Sequence, residues 1–136
     1  VRSGGRVGVG GWLQLMILLV LPGLALRGLP GAWWIGPGAI AVFSAITYGM
    51  YSYDKRQAIA AGWRVPESSL HLAELLGGWP GAFLAQRRLR HKCSKVSYQF
   101  AFWCIVGLFQ LISTDFILEH RLSAWAKDYV EHFVAR

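Results

Sequence analysis

The chain consists of long uncharged stretches separated by short charged segments. Three stretches lack any charged residue: Val7–Leu26, Gly28–Tyr53 and Val96–Thr114. Each is close to or above the roughly 18 apolar residues that cross a hydrocarbon core. The pattern predicts an all-α integral membrane protein with three transmembrane helices, at Trp12–Leu26, Trp33–Tyr53 and Tyr98–Ile117.

The middle span, Trp33–Tyr53, carries the clearest membrane signature. As a helix, its 21 residues extend about 31 Å, which is the thickness of the hydrocarbon core. It has tryptophans at its start and tyrosines at its end, as is typical where aromatic rings meet lipid head groups. The charged run Asp54–Arg56 then marks the end of the span.

The N-terminal region allows two interpretations. Residues 1–11 are glycine-rich and predict a flexible segment. Arg2 and Arg6 before a short apolar run resemble the regions of a secretory signal peptide. Because the remaining chain is also predicted to lie in the membrane, we favour an uncleaved first span within a membrane domain of residues 12–117.

The segment Leu70–Ala85 is apolar, but its length alone does not assign it. It has 16 residues and contains a glycine- and proline-rich break at Gly77–Gly81. Basic loops at 54–64 and 87–95 flank it, and the positive-inside rule places both in the cytoplasm. A short re-entrant helical hairpin satisfies this rule, whereas a full crossing does not. We therefore predict the hairpin, a cytoplasmic N-terminus and a C-terminus outside.

The tail, residues 118–136, has the periodicity of an amphipathic helix. Its apolar residues recur at spacings of three and four, and its charged residues fall mostly elsewhere, which defines one apolar face. We expect this helix to lie in the plane of the membrane interface. The apolar positions are Leu118, Leu122, Trp125, Tyr129 and Phe133.

The chain has few charged residues, and most of them are basic. Hydrophobic residues make up 54% and charged residues 15%, with a formal net charge of +7; this composition excludes a disordered chain and argues against a soluble domain. Arginine forks suit phosphate geometry. The basic loops therefore predict an anionic partner, either a phospholipid head group or a nucleic acid backbone. The predicted contacts are Lys55, Arg56, Arg64, Arg87, Arg88, Arg90, His91, Lys92 and Lys95.

Glu74 is the one carboxylate inside an apolar segment. A charge there is costly, which makes Glu74 a functional candidate. His71 lies three residues earlier on the same helical face, but two side chains do not make a metal site, so none is predicted. We expect a structural ion pair from Glu74 to Arg87 or Arg88. No catalytic residue is assigned, and the candidates are Glu74, His71 and His91.

An ordered set of motifs resembles a known family. The motifs are Asp54-Lys55-Arg56, Trp63-Arg64-Val65-Pro66-Glu67, Leu76-Gly77-Gly78-Trp79-Pro80-Gly81-Ala82, Arg90-His91-Lys92, Lys95 and Phe102. Over about residues 45–106 the chain resembles the small bacterial and archaeal membrane family known as domain of unknown function 1294. The resemblance implies no established activity. Many relatives carry a cold-shock domain, which implies a link to nucleic acid for the family but assigns no binding residue here.

These observations predict a small multi-pass protein of the bacterial inner membrane. Its expected role is non-catalytic, namely binding an anionic lipid or nucleic acid at a basic cytoplasmic face. A membrane-protein partner or a second copy of the chain is also considered, and no cofactor is predicted. The alternative is a membrane enzyme acting on a lipid or membrane-bound substrate, because Arg90-His91 is faintly similar to the Arg-His-Pro of integral-membrane methyltransferases, with Lys92 replacing the proline.

Overall fold

A computed structural model of the chain describes residues 5–27, 34–91, 95–119 and 121–136. All regular secondary structure in these ranges is helical, which confirms the predicted all-α class. The elements in chain order are α1 (Val9–Arg27), α2 (Ile35–Ala60), α3 (Glu67–Ala73), a π-helical turn (Glu74–Gly78), α4 (Trp79–Leu89), α5 (Val96–Ile117) and α6 (Arg121–Val134).

Two of the described helices are long and apolar enough to cross a membrane. They are α1 and α5, with mean hydropathies of 2.0 and 1.7 over their most apolar stretches, and they coincide with the first and third predicted spans. Helix α2 is longer, at 26 residues, but it does not reach this level of hydropathy because it contains glycine, serine and tyrosine. The middle span and the re-entrant hairpin therefore stay predictions.

Helix α1 begins earlier than the sequence predicts. It starts at Val9, within the predicted flexible segment 1–11. The Gly8 carbonyl already accepts a hydrogen bond from the Trp12 N–H at 3.2 Å. Glycine costs a helix about 1 kcal/mol relative to alanine, and here the helix extends through Gly10 and Gly11 despite that cost. Residues 1–4 lie outside the described part of the chain.

The segment between Glu67 and Leu89 is helical apart from one kink. The kink lies at Gly77, whose φ of 116° is open to glycine and costly for residues with a side chain. The π-helical turn begins at Glu74, and π-turns inside helices occur frequently at functional sites. The glycine-rich break predicted from the sequence thus interrupts the helix at this residue.

Two further glycines let α4 pack closely against α2. A Cβ atom on Gly81 would lie 2.0 Å from the Ser44 carbonyl oxygen, and one on Gly78 would lie 1.9 Å from Thr47 Oγ1. No side chain fits at such separations, so the two backbones are in direct contact. This close packing fixes the position of α4 along α2.

Both ends of the 67–89 segment lie at the C-terminal end of α2. Before the segment, the Val65 N–H donates to Asp54 at 3.0 Å; at its end, Lys55 Nζ donates to the Leu89 carbonyl. Between these points, the kink at Gly77 lies beside Ile40, nearer the start of α2. The chain therefore runs along α2 and returns.

The core lies between α2, α4 and α5, while α6 stays at the periphery. Tyr51, Trp79 and Phe102 have no exposed surface. Helix α1 packs mainly on α5, and α6 packs on the end of α5. The predicted tail helix is confirmed with shorter bounds, and its apolar residues Trp125 and Phe133 are exposed.

Candidate functional site

The first of two buried carboxylates belongs to Asp54, near the end of α2. Arg64 donates to it from Nε and Nη2 at 3.0 and 2.9 Å. The Val65 N–H donates at 3.0 Å, and His91 Nε2 lies 2.6 Å from Oδ2. These residues form the Asp54 cluster, which connects the loop before α3 to the residues that follow α4.

The Asp54 cluster has a permanent counter-charge. The hydrogen bonds to Asp54 raise the pKa of Arg64 above its ordinary value, with desolvation acting in the opposite direction. Because arginine stays protonated at any pH at which proteins fold, the fully buried Asp54 carboxylate always faces a cation. Paired N–H···O bonds of this kind are also among the strongest in proteins. We interpret the cluster as structural.

The second buried carboxylate belongs to Glu74, at the start of the π-helical turn. The Tyr51 hydroxyl donates to Oε1 at 2.5 Å, and the Tyr98 hydroxyl donates to the same oxygen at 3.0 Å. His71 Nδ1 lies 2.7 Å from Oε2, so the two side chains that the sequence places on one helical face are in contact. The two hydroxyls are also within hydrogen-bond distance of each other. We name these residues the Glu74 cluster.

Aromatic and amide contacts hold the Glu74 cluster in place. The His71 ring stacks on Tyr98 with 4.3 Å between centroids. Gln86 donates to the Tyr51 hydroxyl at 3.2 Å, and Gln99 donates to Gln86 at 2.7 Å. Of the cluster's members, His71 is the one that reaches the surface, with 19% of its side chain exposed.

The predicted ion pair from Glu74 to Arg87 or Arg88 is wrong. Gln86 takes the inward position of this turn of α4, and Arg87 instead contacts α1, where its Nη2 donates to Gln14 Oε1 at 2.8 Å. Its guanidinium also lies 4.4 Å from the Phe83 ring centroid. Arg88 is exposed. Arg87 and Arg88 are near Glu74 in the sequence, but they lie on other faces of α4 than the one that packs towards Glu74.

The predicted anion contacts divide into two groups. Arg64 and His91 bind Asp54, Lys95 pairs with Glu67 at 2.7 Å, and Lys55 binds the Leu89 carbonyl. The second group consists of exposed arginines that have no carboxylate partner among the described residues. They are Arg56, Arg87, Arg88 and Arg90. Lys92 lies outside the described residues.

The chemistry available in these clusters is acid–base chemistry. Among the described residues, no group of three or more histidine, cysteine, aspartate and glutamate side chains is placed to hold a metal ion. A buried carboxylate bonded to an imidazole is a recurrent arrangement for orienting a histidine and moving protons. Both clusters have this arrangement, through His91 beside Asp54 and through His71 beside Glu74.

Sequence reasoning missed Asp54, Tyr51 and Tyr98 as site residues. In the sequence, the charged run at Asp54 indicates the end of a membrane span. Tyr51 fits an aromatic belt at the membrane interface. One local signal existed, because Tyr51 and Asp54 are three residues apart on α2 and share a face. Tyr98, which binds Glu74 from 24 positions away, has no such signal.

Residues 44–98 match the family described as Protein of unknown function (DUF1294). The resemblance predicted from the sequence is confirmed for this segment. No curated protein and no solved structure matches the chain.

The DUF1294 segment contains every residue of both clusters. It starts in α2 before Tyr51, includes the kinked 67–89 segment, and ends at Tyr98. All of α1 and α6 and most of α5 lie outside it. The segment therefore contains both buried carboxylates, Asp54 and Glu74, and the two helices of highest hydropathy lie mainly or wholly beyond it.

Proposed function

We propose that this is a three-span membrane protein with a re-entrant segment, and that its basic end binds anionic lipid head groups. The topology draws support from the path of the 67–89 segment, which starts and finishes beside the same end of α2. Helix α2 has 26 residues and extends about 39 Å, which suffices for a span. Non-helical backbone at the Gly77 kink is covered by α2, as the membrane interior requires.

The basic end comprises the N-terminal part of α1 and the C-terminal ends of α2 and α4. Arg87 of α4 reaches Gln14 of α1, and Lys55 of α2 reaches the last residue of α4. Arg90 lies against Gly5. The positive-inside rule assigns this end to the cytoplasmic side, and α6, which follows the far end of α5, to the opposite side.

The observation that carries the binding proposal is the set of uncompensated arginines. Arg56, Arg87, Arg88 and Arg90 are exposed at one end of the helical bundle and have no carboxylate partner within the described residues. Guanidinium groups bind phosphate with paired hydrogen bonds. At the ends of membrane helices they lie level with lipid phosphates, which favours a lipid over a nucleic acid strand.

The binding proposal is tested by counting retained lipids with native mass spectrometry of the full chain in detergent. Phosphatidylglycerol supplies an anionic head group and phosphatidylcholine a zwitterionic one. We expect Arg88→Gln with Arg90→Gln to weaken phosphatidylglycerol binding by roughly 30-fold, because each cation near an anionic surface contributes about 1 kcal/mol. Phosphatidylcholine binding should stay unchanged.

A matched control removes two cations from α6. Lys127→Gln with Arg136→Gln alters the net charge equally, and it should leave phosphatidylglycerol binding within about twofold of the parent. Equal losses in both double variants would contradict a specific site. Unchanged lipid binding together with weaker binding of a single-stranded oligonucleotide would overturn the lipid proposal and favour nucleic acid.

The proposed topology is tested by cysteine labelling after Cys93 and Cys104 are replaced by alanine. New cysteines at the exposed positions Ala61 and Arg88 should react with an impermeant reagent from the same side of sealed vesicles. One at Lys127 should react from the other side. If Ala61 and Arg88 report opposite sides, the 67–89 segment crosses the membrane and the re-entrant proposal is wrong.

A further inference from the structure

The Glu74 cluster lacks the permanent counter-charge that the Asp54 cluster has. Its carboxylate oxygens bind two phenols and one imidazole, and a phenol is neutral near pH 7. The one partner that can carry a positive charge is His71. Histidine is the side chain whose ordinary pKa lies closest to neutrality. The net charge of this buried site therefore depends on the protons that the His71–Glu74 pair holds.

The elements packed around the pair add no further charged partner among the described residues. Helix α2 contributes Tyr51, α5 contributes Tyr98, and α4 contributes Gln86, which binds Tyr51. One turn along α2 from Tyr51, Asp54 is already balanced by Arg64. The site is thus a titratable pair within a neutral polar shell.

A route for a proton leads from the surface to the carboxylate. Nδ1 of His71 lies 2.7 Å from Glu74 Oε2, and the ring is held in that orientation by stacking on Tyr98. The side chain is 19% exposed, whereas Glu74 is fully buried. The imidazole thus connects the surface with a carboxylate that solvent does not reach.

We propose that His71 and Glu74 form a proton-exchange site, a function beyond the lipid binding proposed above and independent of it. Nε2 of His71 accepts a proton from the surface, and Nδ1 releases its proton to Oε2 of Glu74. The imidazole returns to a neutral form with its proton on Nε2, and the carboxylate becomes a carboxylic acid. One proton enters and one moves inward, so charge and atoms balance. Reversal of both steps returns the proton to the surface.

Nitrogen NMR of the full chain in detergent, with ¹⁵N-labelled histidine, tests this proposal. The signals of His71 are assigned by their loss in His71→Asn. We expect them to switch reversibly between neutral and doubly protonated forms as the pH is lowered, as proton uptake at Nε2 requires. Glu74→Gln should move this transition to lower pH, because it removes the carboxylate 2.7 Å from Nδ1.

His132 on α6 is the matched control, because it is exposed and lies outside the cluster. Its signals should follow the same pH dependence in Glu74→Gln as in the parent, which shows that the change is confined to the cluster. The thermal unfolding midpoint reports that the variant is folded. Tyr98→Phe keeps the carboxylate and should shift the His71 transition by less than Glu74→Gln does. If His71 in the parent keeps one charge state throughout, or if Glu74→Gln leaves its transition unmoved, the proposal is wrong.

Discussion

The two buried carboxylates of the DUF1294 segment both meet α2 near its C-terminal end: Asp54 belongs to α2, and Glu74 binds Tyr51, one turn before Asp54. They differ in the set of partners that each has. Asp54 binds a guanidinium and connects both ends of the 67–89 segment. Glu74 binds two phenols and an imidazole at the start of a π-helical turn. Both are fully buried, so burial alone does not separate their roles.

The difference shows that the chemistry of the partner decides what a buried carboxylate can do. A guanidinium keeps its charge, so the Asp54 cluster can hold the chain but has no proton to exchange through Arg64. Both carboxylates also bind an imidazole, which gains and loses a proton near neutrality. Beside Asp54 the guanidinium supplies a positive charge whatever the imidazole does, whereas beside Glu74 the charge balance depends on the imidazole. We therefore expect Asp54 to matter most for stability and Glu74 for proton-dependent behaviour.

The largest expected effect is that of Asp54→Asn. This variant replaces the charged acceptor of the hydrogen bonds from Arg64, Val65 and His91, and each hydrogen bond to a charged group that is lost costs about 1.5–3 kcal/mol. The thermal unfolding midpoint of the full chain in detergent should fall accordingly. Adding Arg64→Gln should recover part of the loss. Asp128→Asn on the exposed face of α6 is the control, and a similar loss there would refute the structural role of Asp54.

Gly81→Ala should have the next largest effect. The new Cβ would lie 2.0 Å from the Ser44 carbonyl oxygen, so α4 must move away from α2. Overpacking of this kind costs about 1–3 kcal/mol and more where backbone is the neighbour. Both clusters should loosen, because α4 carries Gln86 and precedes His91.

Gly49→Ala is the matched control for this packing contact. Gly49 also lies within α2, and a Cβ there would meet nothing within 4 Å. Alanine should stabilise α2 by about 0.5–1 kcal/mol. A Gly81→Ala protein with an unfolding midpoint as high as that of Gly49→Ala would contradict direct backbone contact between α2 and α4.

Glu74→Gln should cost less than Asp54→Asn. The amide oxygen still accepts from the phenols, and no permanent cation is left without a partner. A buried hydrogen-bond mismatch costs about 1–3 kcal/mol, measured as the drop in unfolding midpoint near neutral pH. A loss equal to that of Asp54→Asn would remove the distinction between the two clusters.

The smallest effect is expected for Tyr98→Phe. It deletes one of two donors to Oε1 and should cost about 0.5–1.5 kcal/mol. Tyr129→Phe on α6 changes an exposed tyrosine and should leave the unfolding midpoint unchanged. If the two variants behave alike, the Tyr98 hydroxyl contributes nothing to the Glu74 cluster.

The helical class was predictable, because uncharged stretches of membrane length are a property of consecutive residues. The same holds for the break at Gly77 and for the tail helix, where composition and periodicity act locally. The start of α1 was not, since the glycines at 10 and 11 are helical against their propensity.

Only the local part of the candidate site could be predicted. His71 and Glu74 are three residues apart on one helical face, and their pairing follows from that spacing. The contacts of Glu74 with Tyr51 and Tyr98 depend on how α2, α5 and the π-helical turn pack together. The mistaken pairing with Arg87 and Arg88 has the same origin, because their direction depends on how α4 faces α1 and α2.

The contrast between the Asp54 and Glu74 clusters is tested most directly by thermal unfolding of the parent and of Glu74→Gln at about pH 5 and pH 8. The quantity compared is the difference in unfolding midpoint between the two proteins at each pH. Acid favours the charged form of an imidazole, and losing Glu74 leaves that charge without its partner near the core, whereas a neutral imidazole loses no charge partner. We expect a larger difference in midpoint at acidic pH. When both proteins also carry His71→Asn, the difference should be the same at both pH values. An equal difference at both pH values in the proteins that retain His71 would contradict this expectation.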